Sequence, residues 1–222
     1  MWVWKACDVT TKIIPVIQVG GRTQEAAYQV VHELKGRLRP GCVPVFSTDG
    51  LRHYFYALTA HFGSWEKAEG KRSVWVLVSD FLYAQVSKHQ RRRRTVQVER
   101  RILCGDEKNY RDRLKIAGLS GNINTSFIER LNLSIRQCVS KLTRRTWGPA
   151  HFTPELLEHL DWWRAYFHFV RYHESLAMVL DHPKPRKGKQ QPIRYRRRTP
   201  AMAAGLTHKH WTVKELLSYP LP

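Results

Sequence analysis

Across its first sixty residues the chain alternates short β-branched runs with helical periods, and that alternation constrains its fold more than any other feature. Residues 2–7 and 13–19 are two short apolar runs joined around Asp8-Val-Thr-Thr-Lys12, the pattern of a hairpin. After Gly20-Gly21, residues 22–38 set Ala26, Val30, Val31 and Leu34 at helical spacing and stop before Pro40-Gly41. Residues 43–48 form another short run, which delivers Asp49 to its carboxyl end against the turn glycine Gly50. Residues 51–62 return to a helical period, with tyrosines and phenylalanine expected on the inner side. Hairpin, helix, strand, helix is α/β order, which predicts a mixed sheet flanked by helices.

The remainder extends this pattern. Residues 74–79 and 95–103 read as strands, of which only one need join the central sheet; 81–88 is ambiguous and 108–117 is helical. The run Arg91-Arg-Arg-Arg94 belongs on an exposed loop or edge. A helix over 125–143 carries Phe127, Leu131, Ile135, Cys138 and Leu142 on an apolar stripe, leaving Glu129, Asn132 and Arg136 on another face. A further helix starts at the Thr153-Pro154 cap and turns Leu156, Leu160, Trp163, Phe167 and Val170 inward, with Arg164, His168 and Arg171 elsewhere. Residues 181–200, rich in Pro, Lys, Arg and Gln, read as a basic, poorly ordered arm, and a short helical tail closes the chain. These boundaries suggest a catalytic domain over 1–146 with an insertion at about 63–121, a helical extension over 147–180, and the arm and tail over 181–222.

Charge narrows the partner. Lys and Arg number 38 against 18 Asp and Glu, a formal +20, so a polyanion is the expected partner and nucleic acid the leading one. With 42% hydrophobic residues and eight tryptophans, the chain holds enough apolar surface for a core, which excludes disorder throughout. No apolar stretch approaches the roughly 20 residues that cross a bilayer, and the opening Met-Trp-Val-Trp-Lys lacks the features of a signal peptide. No membrane partner is therefore expected, and the protein is placed in the cytoplasm, on the nucleoid. Cys7, Cys42, Cys104 and Cys138 form no C-x-x-C pair, so they are expected reduced and buried rather than bound to zinc or bridged.

Two acids stand out. Glu129 and Arg136 are seven residues apart, which puts carboxylate and guanidinium two turns apart on one helical face. Asp49 closes a strand. Phosphodiester chemistry is served by two divalent ions about 4 Å apart, and Mg²⁺ or Mn²⁺ there takes around three carboxylates brought from distant parts of a chain. Asp49 and Glu129 supply two, and Arg136 is suited to a bidentate contact with a phosphate. Spacing alone also describes solvated surface neighbours.

The segments Trp2-Val-Trp-Lys-Ala-Cys-Asp8, Gly21-Arg-Thr23, Ser47-Thr-Asp-Gly50 and Phe127-Ile-Glu-Arg-Leu-Asn-Leu-Ser-Ile-Arg136 together resemble the transposases of bacterial insertion sequences of the "insertion sequence one" type. The similarity covers residues 1–62 and 124–146, with a longer stretch between. It implies a ribonuclease-H-like fold, an Asp-Asp-Glu metal triad, Mg²⁺ or Mn²⁺ as cofactor, and cleavage and strand transfer at the element's DNA ends by a homo-oligomer. Asp49 matches the second acid and Glu129 the third. In the family the first acid lies on the strand before the opening hairpin, and Asp8 matches a hairpin-turn residue, so the resemblance implies an N-terminally truncated product. The alternative is a non-catalytic nucleic-acid-binding protein in which Arg91, Arg92, Arg93 and Arg94, with the arm at 184–198, neutralise phosphates at a log–log salt slope of about −0.9 per contact.

Overall fold

The computed structural model describes residues 2–67, 72–92, 94–143, 153–184 and 192–220. The chain divides into two compact units, one of Met1–Ala6 with Pro15–Ser134 and one of Cys7–Ile14 with Ile135–Pro222.

In the first unit, β1 (Trp2–Lys5) and β2 (Ile17–Gly20) pair antiparallel with Trp2 opposite Gly20, the expected hairpin. α1 (Gln24–Arg37) opens on Thr23, whose hydroxyl accepts the Ala26 N–H, and turns Ala27, Val30 and Val31 inward. β3 (Val45–Asp49) leads into α2 (Arg52–His61). The buried residues of α2 are Ala57, Leu58 and His61. Tyr54 and Phe55, half-buried, pack against the core as expected, and Tyr56 alone of these rings faces solvent. α2 packs on α1, with the His61 ring 4.2 Å from that of Tyr28 between centroids.

β4 (Gly63–Glu66) and β5 (Val74–Leu77) make a separate antiparallel hairpin. β6 (Leu82–Arg91) runs parallel to β3 over Leu82–Val86 and antiparallel to β7 (Arg94–Cys104), giving a mixed sheet in the order β3-β6-β7. Thus 81–88 is a strand, and 95–103 rather than 74–79 joins the sheet. Leu82, Tyr83 and Ala84 are buried in succession because the sheet carries a core on each face. Tyr83 faces a cluster with Trp4, Val16, Val30, Leu58 and Phe62, while Leu82, Ala84 and Val86 face Tyr110 and Ile123. α3 (Glu107–Ile116), capped by Asp106, lies on that second face, followed by α4 (Ser126–Cys138), of which the part to Ser134 belongs to this unit. Trp4 of β1 and Tyr83 of β6 share one core although their sheets are not hydrogen-bonded to each other. Among the described residues, β1 and β3 each keep an unpaired edge.

In the second unit, α5 (Thr153–Phe169) buries Leu156, Leu160, Trp163 and Phe167 as its period predicts. His168, expected off that stripe, is buried too, and its Nε2 accepts the Ile14 N–H at 2.9 Å. β8 (Met178–Lys184) and β9 (Ile193–Arg196) pair antiparallel, so both flanks of the expected disordered arm are strand; residues 185–191 lie outside the described set. Val179 and Tyr195 there are exposed, since a ribbon held by backbone bonds needs no apolar period. α6 (Pro200–Ala203) and α7 (Val213–Leu217), each capped by a threonine, form the helical tail. The helix expected over 125–143 ends at Cys138, and a 3-10 turn covers Ser140–Leu142. Val139 is buried where Cys138 was expected. None of the four cysteines is in a disulfide, and none is buried. Among the described residues no helix is long and apolar enough to cross a membrane.

Leu58 is 2% exposed in the larger core, so Leu58→Ala should cost about 2–5 kcal/mol in urea unfolding. Burial first, then the Arg164 charge, push the His168 pKa down from 6.5 to about 4. The unfolded chain therefore binds this proton first, so its contribution is fully present above pH 6.5 and is lost as pH falls towards 4. The loss should approach about 3 kcal/mol. Urea melts of wild type and His168→Gln at pH 7 and pH 4.5 test it: the wild type should lose more stability than the variant, and equal losses would contradict the assignment.

Candidate functional site

Asp49 is the last residue of β3, opposite Val86 in the parallel register. Side chains alternate along a strand, so Val45, Ser47 and Asp49 share one face and Phe46 and Thr48 the other. Contacts bear this out: Val45 packs with the Leu82, Ala84 and Val86 cluster, while the Thr48 hydroxyl bonds the Tyr83 hydroxyl at 2.8 Å on the opposite side. At the strand end the Asp49 carboxylate curls over, and its Oδ1 accepts the Leu51 N–H at 3.1 Å. Gly50 lets the chain leave here, because a Cβ at that position would meet the Ser87 Oγ on β6 at 2.6 Å. Burial first, then the Asp49 charge, push the Tyr54 phenol far above its ordinary range, and burial pushes Tyr83 up to about 12. Both phenols stay protonated beside Asp49.

Glu129 is positioned from two directions. Asn124 caps the start of α4 by accepting the Ser126 N–H, and the Thr125 hydroxyl donates to Glu129 Oε1 at 2.7 Å one turn on. From the sheet, the Lys88 ammonium donates to the same oxygen at 2.5 Å. Lys88 stands two residues past Val86, on the same face and about 7 Å further along β6. The Ser47 hydroxyl reaches the Asn124 carbonyl at 3.5 Å, tying β3 to the start of α4. Partial burial pushes the Glu129 carboxyl up, but the bonds from Lys88 and Thr125 and the Lys88 charge outweigh it, so its pKa lies below the ordinary value. Lys88 and Glu129 are both substantially exposed, and a pair of this kind contributes at most about 1 kcal/mol to stability.

Both expected acids therefore lie at one end of the β3–β6 pair. Hard oxygen donors of this type suit Mg²⁺ or Mn²⁺. Among the described residues, Asp49 Oδ2 and Glu129 Oε2 carry no hydrogen bond, leaving one open oxygen on each. Among the same residues there is no group of three His, Cys, Asp or Glu side chains that could hold an ion. Asp8 is used locally: its carboxylate accepts the Thr10 and Thr11 N–H groups and both hydroxyls. Burial raises its pKa, and the bonds from Thr11 and Thr10 outweigh this and hold it low.

Among the described residues neither Arg136 nor Arg91, Arg92 or Arg94 forms an ion pair with these acids. Arg136 is exposed in the last turn of α4, in the second unit. Arg91 and Arg94 face each other across the end of the β6–β7 hairpin, and Arg92 is in its turn with φ +49°. Arg93 lies outside the described residues. Lys88 and Thr125, which hold Glu129, escaped sequence reasoning. The i, i+4 spacing of Thr125 and Glu129 was visible, whereas Lys88 required the register of a strand whose type was ambiguous.

Comparison with known proteins returns no match: no family model fits the chain, and no curated protein or solved structure is significantly similar to it.

Lys88→Met should raise the Glu129 pKa towards the ordinary glutamate value, read by ¹³C NMR titration of the side-chain carboxyl. An unchanged pKa would mean that the ion pair is not populated.

Proposed function

We propose that this chain is a DNA transposase of the insertion-sequence type, built on a ribonuclease-H-like sheet, in which Asp49 and Glu129 hold Mg²⁺ or Mn²⁺ for phosphodiester cleavage and strand transfer. One observation carries the reading: a strand-end aspartate and a first-turn helix glutamate, 80 residues apart, lie at one end of a parallel strand pair, where Lys88 of β6 bonds the glutamate and Ser47 of β3 reaches the Asn124 carbonyl. The mixed sheet and the hairpin that shares its core without pairing to it fit a ribonuclease-H-like sheet lacking one strand among the described residues.

Asp49 and Glu129 would hold the divalent ion, which would supply charge neutralisation at a phosphate and lower the pKa of an attacking oxygen. The chain's own part is positioning. Thr125 and Lys88 fix the Glu129 rotamer and hold its carboxyl pKa below the ordinary value. The Leu51 N–H orients Asp49. Lys88, whose ammonium meets Glu129 where a strand phosphate would approach the acids, offers a donor to a non-bridging oxygen. Arg136 is suited to a neighbouring phosphate as a bidentate fork. The working enzyme in this reading is a homo-oligomer on paired DNA ends.

A second reading is a non-catalytic DNA binder. It is favoured by the formal charge of +20 and by Glu129 already being neutralised by Lys88.

Incubation with Mg²⁺ and duplexes carrying the inverted repeats that flank the gene separates the two. Under the first reading wild type nicks the repeat end, and Asp49→Asn and Glu129→Gln each slow it by at least about 100-fold, more than loss of an outer-shell partner does. Cleavage at the wild-type rate by Asp49→Asn would defeat the site assignment. Duplex binding without cleavage, unchanged in Asp49→Asn, would establish the second reading.

A further inference from the structure

β3 accompanies β6 only as far as Val86, but β6 and β7 stay paired beyond it, from Ser87 opposite Glu99 to Arg91 opposite Arg94. Those five register pairs form a two-stranded ribbon about 13 Å long, projecting past the sheet. Every described side chain from Arg94 to Val98 is exposed, as are Lys88, His89, Arg91 and Arg92 on the other side of the turn. Inward and outward positions alike therefore meet solvent, and Val96 is 63% exposed.

Such a ribbon is costly on its own. Isolated two-stranded hairpins are marginal in water, and like charges directly opposite, here Arg91 and Arg94, destabilise the pairing. The only acid of the ribbon, Glu99, sits at its base and is already engaged by Arg101 and His89. Among the described residues no ion pair engages Arg91, Arg92 or Arg94. A polyanion removes this repulsion, and a surface exposed on both faces fits a concave partner rather than a flat one.

We infer that the β6–β7 ribbon is a DNA-binding arm that enters the major groove of a duplex, arginine tip first. Two strands about 4.8 Å apart with their side chains match a groove about 12 Å wide and 8.5 Å deep, and are too broad for an undeformed minor groove about 6 Å wide. Arginine at the tip presents a fork to guanine O6 and N7 or to phosphate, where lysine would offer a single charge. The slip in register between His89 and Gln90 adds twist to the ribbon where it would follow the groove. This arm rests on the nucleic-acid reading above but not on the metal site: Glu129 bonds Lys88 near the base of the ribbon, and the argument uses only the arginines at its tip.

The test measures affinity of the full chain for three forms of a 30-base-pair duplex: unmodified, with glucosylated hydroxymethylcytosine filling the major groove, and with distamycin filling the minor groove. Wild type should lose at least tenfold on the glucosylated duplex and little with distamycin. The R91Q/R92Q/R94Q triple variant should bind the unmodified and glucosylated duplexes alike, with a salt slope smaller by about 0.9 for each arginine that meets a phosphate. The substituted side chains are exposed, and a thermal melt no lower than wild type shows that the fold is kept. Competition by distamycin alone, or wild-type affinity in the triple variant, would overturn the arm while leaving DNA binding itself intact. Failure of wild type to bind any duplex would instead remove the nucleic-acid reading along with the arm.

Discussion

The parallel pairing of β3 with β6 is the constraint from which the rest of the site follows. It puts Asp49 beside Val86, and strand alternation then puts Lys88 on the same face one step beyond, where it meets Glu129. A slip of one residue would send Asp49 and Lys88 to opposite faces and break the link to α4. The register is held by packing on both sides: Phe46 and Tyr83 belong to one core, Val45 and Leu82 to the other, and neither pair can exchange without burying the wrong side chains. Gly50 completes the arrangement by allowing the chain to turn off the sheet against Ser87.

Much of this was legible because local patterns and the tertiary fold agree. The Val-Phe-Ser-Thr-Asp-Gly run ended where a strand ends, and the α4 stripe through Leu131 and Ile135 left Glu129 exposed as its period required. What could not be read depended on partners distant in sequence. Residues 81–84 are apolar and buried on both faces because the sheet has two cores, so the two-residue period of the strand is hidden. His168 looked like a surface polar residue until the Ile14 N–H supplied a bond that makes its burial tolerable. The paired strands β8 and β9 left no periodic trace, since backbone bonding alone holds them.

Charge is distributed with the same logic. The acids that remain are mostly committed: Asp8 and Asp106 to turns and caps, Glu99 and Glu215 to neighbouring cations and backbone. The arginines of the β6–β7 turn are left over, on an element with no core to pay for its extension. Under the proposed function, a chain of formal charge +20 would grip DNA with the uncompensated cations of this ribbon and act on it with the two carboxylates at the end of β3–β6.

The central claim is that Asp49 and Glu129 share one cation. Mn²⁺ titration of protein ¹³C-labelled at aspartate and glutamate carboxyls tests it directly, because paramagnetic broadening falls off steeply with distance from the ion. The account predicts that the Asp49 and Glu129 carboxyl signals broaden together, at the same Mn²⁺ concentration and before those of other acids. Broadening of one without the other, or of neither ahead of the bulk, would contradict it.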